Sequence, residues 1–322
     1  MSGERAIGID LGGTKIAAGV VDQEGRIERR LERPTPTGSQ ADVLGALDGS
    51  VEELLGDEVA ALGFGIPSTI DQRSGHVVGS VHVPLGDLDF RDRMRERFSL
   101  PTAIDNDANV AALAEWRIGA GRGTRHMVML TLGTGIGGGL VLDGRLYRGS
   151  VGAGAELGHM VLDYGGEPCA GNCTGHGHFE QLASGLAADR AAAEILGAGA
   201  DARGLVQAAR EGNDAAAKAI REIGRRLGAG IGSLVNIFNP ELVVIGGGFA
   251  EALDLLLEPA REVVAQEALR PARDLVRIVP AELGTEAGLV GAAFVGLEAL
   301  AEAGGRAGKA GTASIRRRKR AP

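Results

Sequence analysis

Arg5-Ala6-Ile7-Gly8-Ile9-Asp10-Leu11-Gly12-Gly13-Thr14-Lys15-Ile16-Ala17-Ala18-Gly19-Val20-Val21-Asp22 is the stretch on which the reading of this chain turns. An apolar run halts at Gly-Gly-Thr-Lys and then resumes, the pattern of a strand, a glycine-rich turn and a return strand. A second copy stands 121 residues later. There Val128-Met129-Leu130-Thr131-Leu132-Gly133-Thr134-Gly135 turns into Ile136-Gly137-Gly138-Gly139-Leu140-Val141-Leu142, and Asp143-Gly144-Arg145 echoes residues 22–26. Two copies are too few for a solenoid, so they indicate a duplicated core of two α/β halves, each opening with a hairpin.

Outward from the hairpins, strand and helix patterns alternate. Periodicity predicts helices over about 41–55, 89–98, 179–197, 214–236, 251–267 and 286–301, and one entered at Asp105-Asn106-Asp107 that runs through Trp116. Strands are predicted over 59–66, 102–104 and 242–245. A boundary at Ala120-Gly121-Arg122-Gly123 then gives a smaller domain of residues 1–120, with the helix 286–303 packing on it. A larger domain covers 121–285 with a loop at 159–178, and residues 304–322 form a basic tail expected to be disordered.

Composition narrows the function. A length of 322 residues leaves room for two domains. With 44% hydrophobic and 24% charged residues, global disorder is excluded, and 53 glycines without a collagen-like period point to local use. Aromatics at 3% cannot build a stacking platform for single-stranded nucleic acid. The net charge is −8, but the last 19 residues hold seven Lys/Arg and no acid, so residues 1–303 set 27 basic against 42 acidic groups, or −15. A body that acidic is a poor binder of a phosphate backbone, and no nucleic-acid partner is expected. Charges, prolines or asparagines interrupt every apolar run of membrane length, and Asp10 and Lys15 arrive before a signal core forms, so the expectation is a cytoplasmic protein with no membrane partner.

Glycine turns between strands let backbone N–H groups approach an anion with no side chain in the way. Both hairpins fit a polyphosphate, through Gly12, Gly13 and Thr14 in the first and Gly133, Thr134 and Gly135 in the second. Asp10 offers a carboxylate for Mg²⁺ or its waters, Thr14 a hydroxyl donor, and Lys15 a further cation. No helix directly follows the first turn, so this is not the Walker pattern. Asp107, at a strand end, is the candidate general base; an Asp there is otherwise an N-cap. Cys169 and Cys173 stand four apart among His159, His176 and His178, a clustering that in a reducing compartment suggests metal rather than a disulfide.

Taken in order, Asp10-Leu11-Gly12-Gly13-Thr14-Lys15, Asn106-Asp107-Ala108-Asn109, Leu132-Gly133-Thr134-Gly135-Ile136-Gly137-Gly138-Gly139, Gly154-Ala155-Glu156-Leu157-Gly158-His159 and the Cys/His cluster resemble the ROK family of sugar kinases and related repressors over about residues 5–300. The resemblance implies a duplicated actin-like, ribonuclease H-like ATPase fold with a cleft between two domains. It implies a homodimer or a dimer of dimers, with ATP, Mg²⁺ and a hexose as ligands, and transfer to the 6-hydroxyl of glucose. N-acetylmannosamine, fructose, mannose or allose are the alternatives, since one or two pocket residues decide the sugar. It places Asp107 against the 6-hydroxyl, Asn106 on neighbouring hydroxyls, and Glu156, His159 and Glu180 on the ring. Gly65 would let the backbone approach the sugar, and Gly247 and Gly248 would meet the adenosine. Ser68-Thr69-Ile70 departs from the family's commoner Gly-Pro ending, and His82 stands where the family often has Asn.

Zinc-bearing members show His, nine residues, then Cys-x-Cys-Gly-x-x-Gly-Cys. Here nine residues separate His159 from Cys169, three separate Cys169 from Cys173, and His178 replaces the last cysteine. The resemblance therefore implies a structural Zn²⁺ on His159, Cys169, Cys173 and His178, with His176 the rival for the last place. A regulator is the other class in this family. Its repressors carry a helix-turn-helix ahead of the first phosphate motif, and with the first strand beginning near residue 6 no such segment is expected here.

Overall fold

The computed structural model describes residues 3–80, 83–169 and 173–318, with side chains through Gly304. The first hairpin forms as its pattern dictates. β1 (Arg5–Leu11) and β2 (Lys15–Val21) pair antiparallel with Leu11 opposite Ile16, and the apolar side chains of both are buried. β3 (Ile27–Pro34), whose Arg and Glu side chains face solvent, closes that edge of the sheet. Ser39 then caps α1 (Gln40–Leu54) by accepting from Asp42 N. β4 (Val59–Ile66) lies parallel to β1, and an insertion follows: a small sheet of β5 (Ser68–Asp71), β6 (His76–Ser80) and β7 (Gly86–Leu88), then α2 (Phe90–Phe98). β8 (Thr102–Asn106) adds parallel to β4 and leads directly into α3 (Asp107–Ile118).

The second hairpin, β9 (Met127–Leu132) and β10 (Ile136–Leu142), repeats the plan and is extended by β11 (Arg145–Leu146). Helices α4 (Phe179–Ala183), α5 (Gly185–Leu196), α6 (Ala202–Arg210) and α7 (Asp214–Phe238) precede β12 (Leu242–Gly246), which is parallel to β9. α8 (Leu253–Glu267), α9 (Ala272–Leu275), β13 (Arg277–Pro280) and α10 (Ala287–Arg318) complete the order. One sheet runs β3-β2-β1-β4-β8 and the other β11-β10-β9-β12-β13, each with two antiparallel pairings followed by two parallel ones. The duplication read from the two hairpins is thus a duplication of topology.

The chain divides into two compact units: residues 1–114, 150–153 and 286–322, and residues 115–149 and 154–285. Each has its own aliphatic core, the first around Ile7, Ile9, Leu62 and Phe64, the second around Leu130, Leu227, Ile231 and Val243. In the first, Phe64 meets Phe90 edge-on at 5.0 Å. α10 covers the first sheet by backbone approach, since a methyl at Gly8 or Gly63 would overlap Leu289, Ala292 or Ala293. By length and apolarity the 284–304 stretch would suffice to span a membrane, but Leu289, Val290 and Phe294 are buried in the first unit, as in a core helix.

Several elements differ from expectation. The helix foreseen over 179–197 is two helices, because Ser184 is extended (φ −105°, ψ −178°) and caps α5 by accepting from Leu186 N. The glycine stretch foreseen as a boundary is held within the second unit: Ala120 N donates to Glu115 Oε2 and Trp116 Nε1 to Thr124 O. α10 extends beyond residue 301, and residues 319–322 and His82 lie outside the described residues.

Candidate functional site

Ligands of α/β sheets gather at the carboxyl ends of the parallel strands, so those ends are where the candidate residues matter. In the first unit, register aligns Asp10 of β1 with Gly65 of β4, and Gly65 with Asp105 of β8. Two residues further, at the first position of α3, stands Asp107. Asn106 is the cap: its Oδ1 accepts from Ala108 N at 2.9 Å and Asn109 N at 3.3 Å. That leaves its NH₂ as the end that can serve a ligand. Asp107 Oδ1 also accepts from Ala108 N at 2.9 Å, so its carboxylate is held at the helix entrance.

Behind this pair lies Asp105, buried, whose Oδ1 accepts from Asn106 N (2.9 Å), Asn109 Nδ2 (3.0 Å) and Gln72 Nε2 (3.2 Å). Gln72 also donates to Ile104 O and, through its backbone, to Val151 O. The strand end carrying Asn106 and Asp107 is therefore fixed from three directions. Burial pushes the Asp10 carboxyl up to about 7; the charge of Asp107 adds to the push and Lys15 opposes it. Gly288, in the first turn of α10, backs Asp10 so closely that a methyl there would overlap the carboxylate.

The first turn closes through Gly12 N to Lys15 O at 2.9 Å, with Thr35 bonded to its carbonyls from behind. Lys15 Nζ is paired with Glu32 at 3.0 Å. Gly65 has a packing reason to be glycine, because Val110 of α3 fills the place of its side chain.

In the second unit, Gly133 and Thr134 turn β9 into β10, and their carbonyls accept from Gly185 N (2.8 Å) and Leu186 N (3.1 Å) at the start of α5. Gly247, at φ +89°, lies against Leu132 O, which brings the turn after β12 beside this one. Open space faces Gly133 and Gly248, as a ligand-facing glycine requires. Glu180 lies over Gly135: its Oε2 accepts from Ile136 N at 3.4 Å, while its Oε1 accepts from Cys169 Sγ at 3.1 Å. Glu156 precedes and His159 ends a short 3-10 turn, both exposed, with Ala155 just before them in the left-handed region (φ +66°). Its Gly158 packs on Ile136 O, where a side chain would overlap.

His159, Cys169, Cys173 and His178 form one cluster, their ligand atoms all within 4.8 Å of one another. Ligands 2.0–2.3 Å from a tetrahedral centre stand roughly 3.3–3.8 Å apart. The two Nδ1 atoms are 3.1 Å apart, and each Sγ–Nδ1 pair, Cys169–His159 and Cys173–His178, is 3.8 Å apart, so the set fits Zn²⁺. His176 is turned elsewhere, with Nδ1 3.3 Å from Gly166 O. Burial, then the Glu180 carboxylate, pushes the Cys169 thiol up to about 12.

The structure thus gathers Asp10, Gly12 and Asp107 at the carboxyl ends of the parallel strands of the first sheet, and Gly133, Gly135, Gly247 and Glu180 at those of the second. The supporting residues Thr35, Gln72 and Gly288, and the cap at Ser184, escape sequence reading.

The sequence model of the ROK family matches residues 6–298. A glucokinase of Streptomyces coelicolor is 36% identical over 314 residues, covering 91% of this chain and 97% of that protein. Among solved structures, a ROK family glucokinase from Streptomyces griseus in complex with glucose and AMPPNP superposes with a TM-score of 0.79 at 34% identity, over 91% of this chain and 99% of its own. A ROK hexokinase from Thermus thermophilus gives 0.81 at 37% identity, over 92% and 99%.

Proposed function

The chain belongs to the ROK family, and from that premise we propose that it is an ATP-dependent hexokinase that phosphorylates glucose at the 6-hydroxyl. Its fold is the duplicated actin-like ATPase fold of that family. The observation that carries the proposal is the carboxyl end of the first sheet's parallel strands, where Asp107 stands at the start of α3, near enough to Asp10 for its charge to be felt.

Phosphoryl transfer to an alcohol asks for a base at the nucleophile and for support of the phosphoryl charge. We assign the base to Asp107. It accepts the 6-hydroxyl proton as the sugar oxygen bonds to the γ-phosphorus of ATP and the bond to ADP breaks. Asn106 donates to an adjacent hydroxyl through the NH₂ not used in its cap. Gly12 and Gly133 close the two turns, donating their N–H groups to Lys15 O and Gly135 O, so that Gly13 and Thr14, and in the other unit Thr134 and Gly135, offer N–H donors to phosphate oxygens; Gly247 and Gly248 face the adenosine. Asp10 would hold Mg²⁺ or its waters, and the ion, when bound, neutralises the phosphate charge.

Glu156, His159 and Glu180 are the ring-binding residues of the second unit. With Nδ1 of His159 turned to the Cys/His cluster, its Nε2 is the nitrogen left for a sugar hydroxyl. Zn²⁺ on His159, Cys169, Cys173 and His178 has all four positions filled by protein and is structural. The reading carries with it a cytoplasmic homodimer or dimer of dimers without a nucleic-acid partner.

The test is a coupled assay of ADP release over a panel of hexoses, with Asp107→Asn beside the wild type. Glucose should be the preferred acceptor, and the variant should still bind sugar while turnover falls about 10²–10⁴-fold. Near-wild-type turnover would remove Asp107 from the mechanism. Absence of turnover with every hexose would favour a sugar-responsive regulator.

A further inference from the structure

Thr35 is buried one residue beyond β3 and touches the first glycine turn twice. Its hydroxyl donates to Gly12 O at 2.7 Å, and its backbone N–H donates to Thr14 O at 3.0 Å. In a planar trans peptide the C=O and the following N–H point in opposite directions. A carbonyl of Gly12 drawn back onto Thr35 therefore turns the N–H of Gly13 away from Thr35, out of the turn. The peptide between two glycines is the one most free to rotate, since neither residue has a Cβ to restrict it. The second turn has the same arrangement from a different source. There Gly185 N holds Gly133 O and Leu186 N holds Thr134 O, which aims the N–H groups of Thr134 and Gly135 outward.

We propose that Thr35 is a positioning residue for ATP, its hydroxyl fixing the Gly12–Gly13 peptide so that the Gly13 N–H is preset toward a phosphate oxygen. The inference rests on the kinase reading above and adds a residue that touches neither substrate. Donors fixed in advance need no reorganisation when charge arrives, and a peptide left to rotate loses that advantage.

The experiment compares wild type, Thr35→Val and Thr35→Ser. Valine keeps the shape and removes the donor, leaving a half-buried carbonyl without its side-chain partner; serine restores it. KM for ATP, and the Kd of AMPPNP by calorimetry, should rise about tenfold in Thr35→Val, with KM for the sugar changed less than twofold, and both should return toward wild type in Thr35→Ser. Thr35→Ala serves the comparison if the valine variant does not fold. A Thr35→Val protein with a lowered melting temperature but wild-type KM and Kd would reduce Thr35 to a structural residue and overturn the proposal. A wild type that binds AMPPNP yet phosphorylates no hexose would instead defeat the kinase reading, and the calorimetric comparison at Thr35 would still decide this one.

Discussion

Asp10 holds an acid in a place that disfavours its charge. Burial leads and the neighbouring Asp107 follows in raising its carboxyl to about 7, from an ordinary value of about 3.9. In the unfolded chain the group is ionised above about pH 4. The folded state therefore binds more protons than the unfolded one between pH 4 and 7, and the linked stability is fully present below that window and lost as pH rises through it. Asp10→Asn removes the penalty. In protein free of metal and nucleotide, its melting temperature should exceed that of the wild type at pH 8 and converge with it near pH 4, while phosphoryl transfer is lost. Equal melting temperatures at pH 8 would mean that Asp10 is not under this strain. Asp10 is legible in sequence because a lone acid beside a glycine turn breaks an apolar pattern, whereas Asp107, which read alone would be an N-cap, is legible through the flanking Asn106 and the family resemblance of Asn106-Asp107-Ala108-Asn109. Gly288 and Thr35 are not, because what singles them out is a spatial approach, a backbone pressed on a carboxylate and a hydroxyl behind a turn, across 278 and 23 positions of chain.

The elements show where periodicity stops informing. The apolar rhythm of residues 179–197 continues across Ser184, so the sequence reads as one helix, yet the capping serine divides it. The division has consequences for the site. α4 seats Phe179 in the core against Gly230 and sets Glu180 over Gly135, while α5 begins afresh with its N–H groups on the carbonyls of the second turn. The Cys/His segment leans on the same short helix, since His178 directly precedes it and Cys169 donates to Glu180. Two residues that pair only through metal cannot reveal their spacing in advance, and the widened interval between Cys169 and Cys173 left the last ligand open between His176 and His178. The geometry favours His178. Metal analysis of the purified protein should give about one Zn per chain, and Cys173→Ser should lower it. Removing the ion should raise KM for the sugar more than KM for ATP, because the cluster orients His159 and Glu180 rather than the turns. A metal-free protein with unchanged sugar KM would refute the site.

At the scale of the whole molecule, two hairpins sufficed to foretell the duplication, because each half must bury a sheet of its own and the same strand order does so twice. What lies beyond the duplicated plan is an acidic body carrying a basic end. The buried side chains described in α10 all lie between Ala287 and Val295, against the first sheet and α3. The seven Lys/Arg after Gly304 come later than every one of them, and later than the last residue matched by the family. Ending the chain at Gly304 moves the net charge from −8 to −15 without removing a buried group described here. The truncated protein should therefore keep its melting temperature within a few degrees and its kcat/KM for ATP and glucose within twofold. Retention on an immobilised polyanion at low salt should be lost, because only the basic end offers a run of cations, and that interaction weakens with added salt in any case. A truncated chain that melts far lower, or turns over far more slowly, would show that residues after 304 support the active body, and the boundary drawn from burial in α10 would have to move to the end of the chain.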